Sequence, residues 1–231
     1  MENSKIIFLI GASGSGKSTV ENEFINNEWL NLWWFKHIIS HATRAPRVKD
    51  GEKDGVDYYF ISEDEFDILN DNNEFIQTIA HAWSRKGSTL TEWKDKLNEW
   101  HIIMPVLLAS ILELKKNLPR LYSDINKNIS IIFFDISEEE ALNRMVGRYA
   151  NEFGISNEEF KEKYYNYTEN SIENISDSLI NTFDEIKHRL TDIQLLAPSR
   201  EYADYVIDVS WKNIETVYQE FITVIDDIFK C

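Results

Sequence analysis

The stretch Gly11-Ala12-Ser13-Gly14-Ser15-Gly16-Lys17-Ser18 follows directly on the apolar run Ile6-Ile7-Phe8-Leu9-Ile10. It fits the phosphate-loop pattern G-x-x-x-x-G-K-[ST], with a predicted strand before it and a helix from about Ser18 to Asn26 after it. Glycines at 11, 14 and 16 let the backbone curl so that successive N–H groups point at one anion. The opening helix adds the positive end of its dipole. Gly11, Ala12, Ser13, Gly14, Ser15, Gly16, Lys17, Ser18 and Thr19 are therefore expected to hold a nucleoside triphosphate. Lys17 is expected on the β- and γ-phosphates, and the Ser18 hydroxyl on Mg²⁺.

Few folds carry such a loop, and the rest of the chain agrees with an α/β one. Apolar segments at 102–108, 129–136 and 205–209 read as strands, and helical stretches separate them. Alternation of this kind implies a parallel sheet covered by helices. Ser62 with Glu65, and Ser137 with Glu140, read as capping boxes that open helices. Trp33 to Ile39 reads as a second strand, and Glu74 to Trp83 as an extended segment. Ser40 to Glu52 looks irregular, Ser84 to Gly87 looks like a turn, and Asn213 to Lys230 reads as a closing amphipathic helix. Asn151 to Asp192 is polar and acidic, with helical patches.

Composition narrows the partners. Against 24 basic residues stand 40 acidic ones, a formal net charge of -16. That surface repels phosphate backbones and anionic lipid, so neither nucleic acid nor a membrane is an expected partner. The single cysteine, Cys231, allows no intrachain disulfide, and no apolar run approaches spanning length. A cytoplasmic protein that binds nucleotides is the expectation, with a homodimer as one assembly.

A second constellation addresses the acceptor. Thr43-Arg44-Ala45-Pro46-Arg47 is followed by Gly51-Glu52 and by Gly55-Val56-Asp57-Tyr58-Tyr59-Phe60. Two arginines three apart in a proline-containing loop present two planar forks to one tetrahedral dianion, and a nearby tyrosine can donate to it. Together with the phosphate loop, these residues resemble the guanylate kinase family, whose acceptor loop reads T-R-x-P-R, G-E, G-x-D-Y-x-F. The likeness covers most of residues 5–150 and resumes around Arg189.

The resemblance implies a phosphate-loop core at 1–39, 101–147 and 187–231, an acceptor-binding region at 40–100 and an enlarged helical lid at 148–186. It implies an ATP-dependent, Mg²⁺-assisted nucleoside monophosphate kinase. Ser40, Arg44, Arg47 and Tyr58 would hold the acceptor phosphate, with Glu52 orienting an arginine. Lys17, Arg144, Arg148 and Arg189 would neutralise the transferring phosphoryl group.

Four departures from the family pattern stand out. Gln77 replaces a glutamate that reads the guanine N–H edge. Lys86-Gly87-Ser88 replaces Y-G-[TS], so Lys86 supplies charge where a tyrosine stood, while Ser88 remains an acceptor-site residue. Met104-Pro105-Val106-Leu107 stands in place of D-x-D. Finally, 40 residues lie between Arg148 and Arg189, far more than the family's lid. Two acceptor readings follow: GMP, or another phosphorylated compound such as a different nucleotide or a sugar phosphate. A non-catalytic binding module of the same fold is a third reading, against which the intact Lys17 speaks. Trp83 is expected to face the acceptor, Asp135 to lie on the nucleotide side, and Val209 to replace an asparagine beside the donor base.

Overall fold

The computed structural model describes residues 4–26, 35–48, 51–81, 84–168 and 176–230. It forms two compact units, Met1–Ile10 with Glu21–Ile131, and Gly11–Val20 with Ile132–Cys231.

In the first unit, β1 (Ile6–Gly11) is buried from Ile6 through Ile10, as a strand apolar on both faces must be. The helix α1 (Lys17–Asn26) follows the glycine loop, and its Phe24 packs on Phe35 of β2 (Phe35–Lys36), ring centroids 5.4 Å apart. Expected strand positions Trp33 and Trp34 lie outside the described residues, as does Trp83.

A second, four-stranded sheet occupies the middle of this unit. Its strands are β3 (Ser40–Ala42), β4 (Tyr58–Phe60), β5 (Phe75–His81) and β6 (Ser84–Thr89), in the order β4-β3-β6-β5. Between β4 and β5 lies α2 (Glu63–Asp71), opened by the complete Ser62–Glu65 capping box. Two expectations are corrected here. Ser40 to Ala42 is strand rather than irregular, and Ser84 to Gly87 is strand rather than turn. The polar run Ser-Arg-Lys-Gly has weak strand propensity, but β6 is hydrogen-bonded on both sides, and neighbours override propensity in a central strand. Gly87 is there for packing: a Cβ would lie 2.8 Å from the Phe75 ring.

Thr89 caps α3 (Leu90–Glu99), whose fully buried Trp93 meets Phe8 edge-on at 6.4 Å. β7 (His101–Pro105) then pairs in parallel with β1 and β2. The expected strand through Leu108 stops at Pro105, which has no N–H to continue a ladder. Leu108 instead begins α4 (Leu108–Asn117).

In the second unit, β8 (Ile129–Asp135) pairs in parallel with a later strand and leads to α5 (Glu138–Phe153), which carries acids in its first turn and ends on left-handed Gly154. Only half of the second capping box forms. Ser137 Oγ accepts from Glu140 N, whereas the Glu140 carboxylate turns to Arg144. The expected helical patches are two full helices, α6 (Asn157–Thr168) and α7 (Asp177–Leu196). Phe183 meets the rings of Phe160 and Tyr164, Phe160 stacks on Tyr149 of α5, and Ile186 is fully buried, so the extension has a core of its own. β9 (Tyr205–Asp208) is the partner of β8, in register from Ile132↔Tyr205 to Asp135↔Asp208. The closing helix α8 (Ile214–Lys230) lays Val217, Tyr218, Phe221, Ile225 and Ile228 inward, a 3.6-period face. No helix among the described residues is long and apolar enough to cross a membrane.

Candidate active site

In the second unit, the glycine loop takes the backbone its sequence demands. Gly14 and Gly16 have φ of 82° and 88°. A Cβ on Gly11 would sit 2.5 Å from the Phe134 carbonyl oxygen, so only glycine allows that approach. Lys17 folds over the loop: Nζ donates to the carbonyls of Gly11 and Ala12 at 2.7 and 2.8 Å, and to Ser15 Oγ at 3.1 Å. Burial lowers its pKa to about 8. Ser18 and Thr19 are exposed on the first turn of α1.

A cavity of about 430 Å³ is lined by Lys17, Ser18 and Thr19 together with Arg144, Arg148 and Arg189. The three arginines expected from the sequence thus meet the phosphate loop, but on different terms. Arg148 is exposed at the cavity wall, its Nη2 donating to the Tyr149 hydroxyl at 2.6 Å. Arg189, on α7, reaches Ser13 Oγ and is braced by Glu185 through Nε at 3.0 Å. Arg144 is already committed. Its Nε binds Glu140 at 2.8 Å, Nη1 donates to the Gly14 carbonyl at 3.2 Å, and Nη2 donates to the Val209 carbonyl at 2.7 Å and the Lys212 carbonyl at 3.4 Å. It clamps the phosphate loop to the segment after β9. A neighbouring cavity of about 340 Å³ has Gly16, Thr19, Arg144, Lys212, Ile214 and Val217 in its wall. Val209 is fully buried and contributes its carbonyl rather than its side chain. Asp135 is engaged by Arg200 at 3.0 Å.

The first unit holds the residues that the sequence leads one to expect at the acceptor. Register places them on one face of the four-stranded sheet: Tyr58 opposite Ser40, Phe60 opposite Ala42, Ala42 opposite Lys86, and Ser88 opposite Gln77. Directly paired residues share a face, as do alternate residues along a strand. The other face holds His41, whose ring lies 5.0 Å from Tyr59 and 5.9 Å from Phe75. His41 is thus a packing residue.

On the polar face, Lys86 Nζ donates to the Tyr58 hydroxyl at 2.8 Å and sits 4.3 Å from its ring centroid. The Arg44 guanidinium covers the same ring at 5.2 Å. Arg44 Nη1 and Nη2 grip Glu52 Oε2 and Oε1 at 2.7 and 2.6 Å, and Arg47 N donates to Oε2 at 2.7 Å. The Arg44 hydrogen bonds, helped by the Arg47 amide, hold the Glu52 carboxyl down at about 2. The Arg47 side chain is exposed and makes no hydrogen bond or ion pair among the described residues. Ser88 has no exposed surface, and its Oγ accepts from Trp93 Nε1 at 2.9 Å. Gln77 is 8% exposed and donates through Nε2 to Ser110 Oγ at 3.1 Å.

Several participants were not singled out by sequence. Ser110 and Glu113 lie on a helix that the apolar run hid, and a polar spacing Ser110, Glu113, Asn117, Arg120 was their only signal. Lys212 had none. Glu21, on α1, is 6% exposed, and burial raises its carboxyl to about 8. No group of three or more His, Cys, Asp or Glu side chains that could hold a metal occurs among the described residues.

The guanylate kinase family model matches residues 3–194. The chain is 31% identical over 148 residues to the guanylate kinase of Prochlorococcus marinus subsp. pastoris, covering 62% of this chain and 72% of that protein. It is 34% identical over 140 residues to the guanylate kinase of Malacoplasma penetrans, covering 51% and 69%. In fold it is similar to the crystal structure of guanylate kinase from Anaplasma phagocytophilum, with a TM-score of 0.57 over 97% of this chain and 85% of that one at 20% identity. With a match over most of its length, a phosphate loop ringed by three arginines and an Arg44–Glu52 fork in the loop after β3, the chain belongs to the guanylate kinase family, the phosphate-loop kinases of nucleoside monophosphates.

Proposed function

We propose that the second unit binds the triphosphate of ATP, that the first holds the phosphate of a nucleoside monophosphate, and that the γ-phosphoryl group passes between them. The observation that carries this reading is the convergence of Lys17, Arg144, Arg148 and Arg189 on one cavity with the phosphate loop. An oxygen of the acceptor's 5′-phosphate attacks the γ-phosphorus. A new P–O bond forms as the β–γ bridge breaks, and ADP leaves with the bridging oxygen. A phosphate oxygen is already anionic, so no general base is needed; alignment and charge stabilisation supply the catalysis.

Lys17, released from its loop carbonyls, takes the β- and γ-oxygens. Arg148 and Arg189 face the transferring group, while Arg144 holds the loop in shape. The donor base enters the neighbouring cavity beside Lys212 and Ile214. The exposed Ser18 hydroxyl on the first turn of α1 would hold Mg²⁺ against the bound triphosphate. When bound, Mg²⁺ neutralises charge between the β- and γ-phosphates.

At the acceptor, the exposed Arg47 offers a guanidinium with no hydrogen bond among the described residues, Arg44 is set by Glu52, and Tyr58 with Lys86 completes the grip. Ser40 lies on the same face, and Ser88 supports it from within through Trp93. Residues 40–100 serve as the acceptor part, 148–186 as an enlarged lid, and the remainder as the core. The lone cysteine and acidic surface fit a cytoplasmic enzyme.

An analogue with two nucleosides joined through five phosphates tests whether one molecule engages both grips. Calorimetry is expected to show it binding at least about 100-fold more tightly than ATP, with most of that gain lost in K17A or R47A. An analogue that binds no better than ATP would contradict the reading.

A further inference from the structure

Arg148 and Tyr149 are neighbours on α5, and one serves to hold the other. Arg148 stands exposed at the wall of the phosphate-loop cavity. A long side chain in that position samples many rotamers unless something fixes it. Its partner one helical turn on does little: Nε lies 3.7 Å from Glu152 Oε1, with both side chains more than half exposed.

Tyr149 supplies the fixing contact. Adjacent helical residues point about 100° apart, so the two meet only because Arg148 folds back across its neighbour. The guanidinium carbon lies 4.5 Å from the Tyr149 ring centroid, and Nη2 donates to the hydroxyl at 2.6 Å. A ring contact and a hydrogen bond together set both the place and the tilt of the planar fork. The ring is itself anchored. It is 5% exposed and stacks on Phe160 of α6 at 6.4 Å and 12°. Phe160 in turn meets Phe183 of α7 edge-on at 5.3 Å and 80°. Burial raises the hydroxyl's pKa, against the opposing charges of Arg189 and Arg148, so it stays protonated and neutral across the neutral range.

We propose that Tyr149 is the positioning residue of Arg148, and that the aromatic core of the α6–α7 extension braces the phosphoryl-transfer site through it. This rests on the kinase reading above, in which Arg148 faces the transferring group. A donor already aimed at the place where charge develops needs no reorganisation as the transition state forms. An arginine that must first be gathered from solvent loses that advantage in kcat rather than in substrate binding. The extension is thereby a working part of the catalytic wall, with Tyr149 as its point of contact.

The test is a double-mutant cycle on kcat, with Mg-ATP and the fastest of GMP, AMP, CMP and UMP as acceptor. Wild type, Y149F, R148A and the R148A/Y149F double variant are compared, with a thermal melt of each. Y149F keeps the ring and its stack on Phe160 and removes only the hydroxyl. It is expected to lower kcat about tenfold, with the KM for both substrates within about twofold of wild type and the melting temperature unchanged. With Arg148 already removed, the same change is expected to cost less than about twofold, because the group it positions is gone. A Y149F kcat equal to wild type would overturn the proposal. So would a loss of about tenfold that persists in the R148A background, the pattern of a general loosening of the fold. Failure of the kinase reading would look different and would take the proposal with it: none of the monophosphates would be turned over, or R148A would match the wild type.

Discussion

Arg44 and Glu52 meet as a two-point fork, with Nη1–Oε2 at 2.7 Å and Nη2–Oε1 at 2.6 Å, while the Arg47 amide binds the same carboxylate. One acid thus sets the position of one arginine and the backbone of the other. The E52Q variant keeps the shape and removes the charge. Acceptor KM should rise about tenfold with ATP affinity unchanged, since the loss is confined to acceptor alignment. Steady-state kinetics with each substrate varied in turn checks this. The carboxyl stays ionised until pH falls from its ordinary 4.5 toward about 2, so the fork is intact throughout the neutral range.

Arg144 and Arg148 sit one helical turn apart and should fail differently. Arg144 spends its donors on Glu140 and on the Gly14, Val209 and Lys212 carbonyls. R144A should therefore lose about 2–3 kcal/mol of stability and raise the KM for ATP. Arg148 is exposed, and R148A should leave the melting temperature nearly unchanged while lowering kcat about 100-fold. Denaturant titration and kcat measured on the same preparations separate the two roles.

Lys17 ties donor binding to protons. Burial has lowered its pKa from 10.5 to about 8, and a bound triphosphate favours the charged form and raises it again. Binding at about pH 9 must therefore take up a proton that binding at about pH 7 does not, and ATP affinity should fall by up to about tenfold per pH unit above 8. Calorimetry in buffers of different ionisation heat measures the uptake directly. K17A should show none.

Glu21 should mark the stability curve with the opposite sense from an ion-paired acid. Burial lifts its carboxyl from 4.5 to about 8. Between those values the unfolded chain has released the proton and the folded one retains it, so stability falls as pH rises. A loss of roughly 2–4 kcal/mol between about pH 5 and about pH 8 is expected, and E21Q should abolish it. Urea midpoints across that range provide the measurement.

The parts of this enzyme that depend on local chemistry were legible in the sequence. The glycine loop, the Arg44–Glu52 pair, the Ser62 cap and the closing helix α8 each follow from residues close together in the chain. The parts that depend on neighbours were not. Ser84-Arg85-Lys86-Gly87 has turn composition, and only pairing on both sides makes it β6. Leu107-Leu108 continues an apolar run that fits strand or helix equally, which concealed α4 and with it Ser110 and Glu113. Arg144 stands where the resemblance expects a charge-neutralising arginine, and the Gly14, Val209 and Lys212 carbonyls that take its donors lie far from it in the chain. The acidic stretch after Asn151 hid a core because Phe160, Tyr164 and Phe183 are sparse along the chain and meet only when α6 and α7 fold together.

The central claim is that phosphate leaves ATP for a monophosphate held by Arg44, Arg47, Tyr58 and Lys86. Incubation with γ-labelled ATP, Mg²⁺ and a nucleoside monophosphate follows that phosphoryl group directly. The account predicts label at the β-position of a nucleoside diphosphate, formed one-for-one with ADP and abolished in both K17A and R47A. Label released only as inorganic phosphate, or retained in bound ATP whichever monophosphate is supplied, would contradict it.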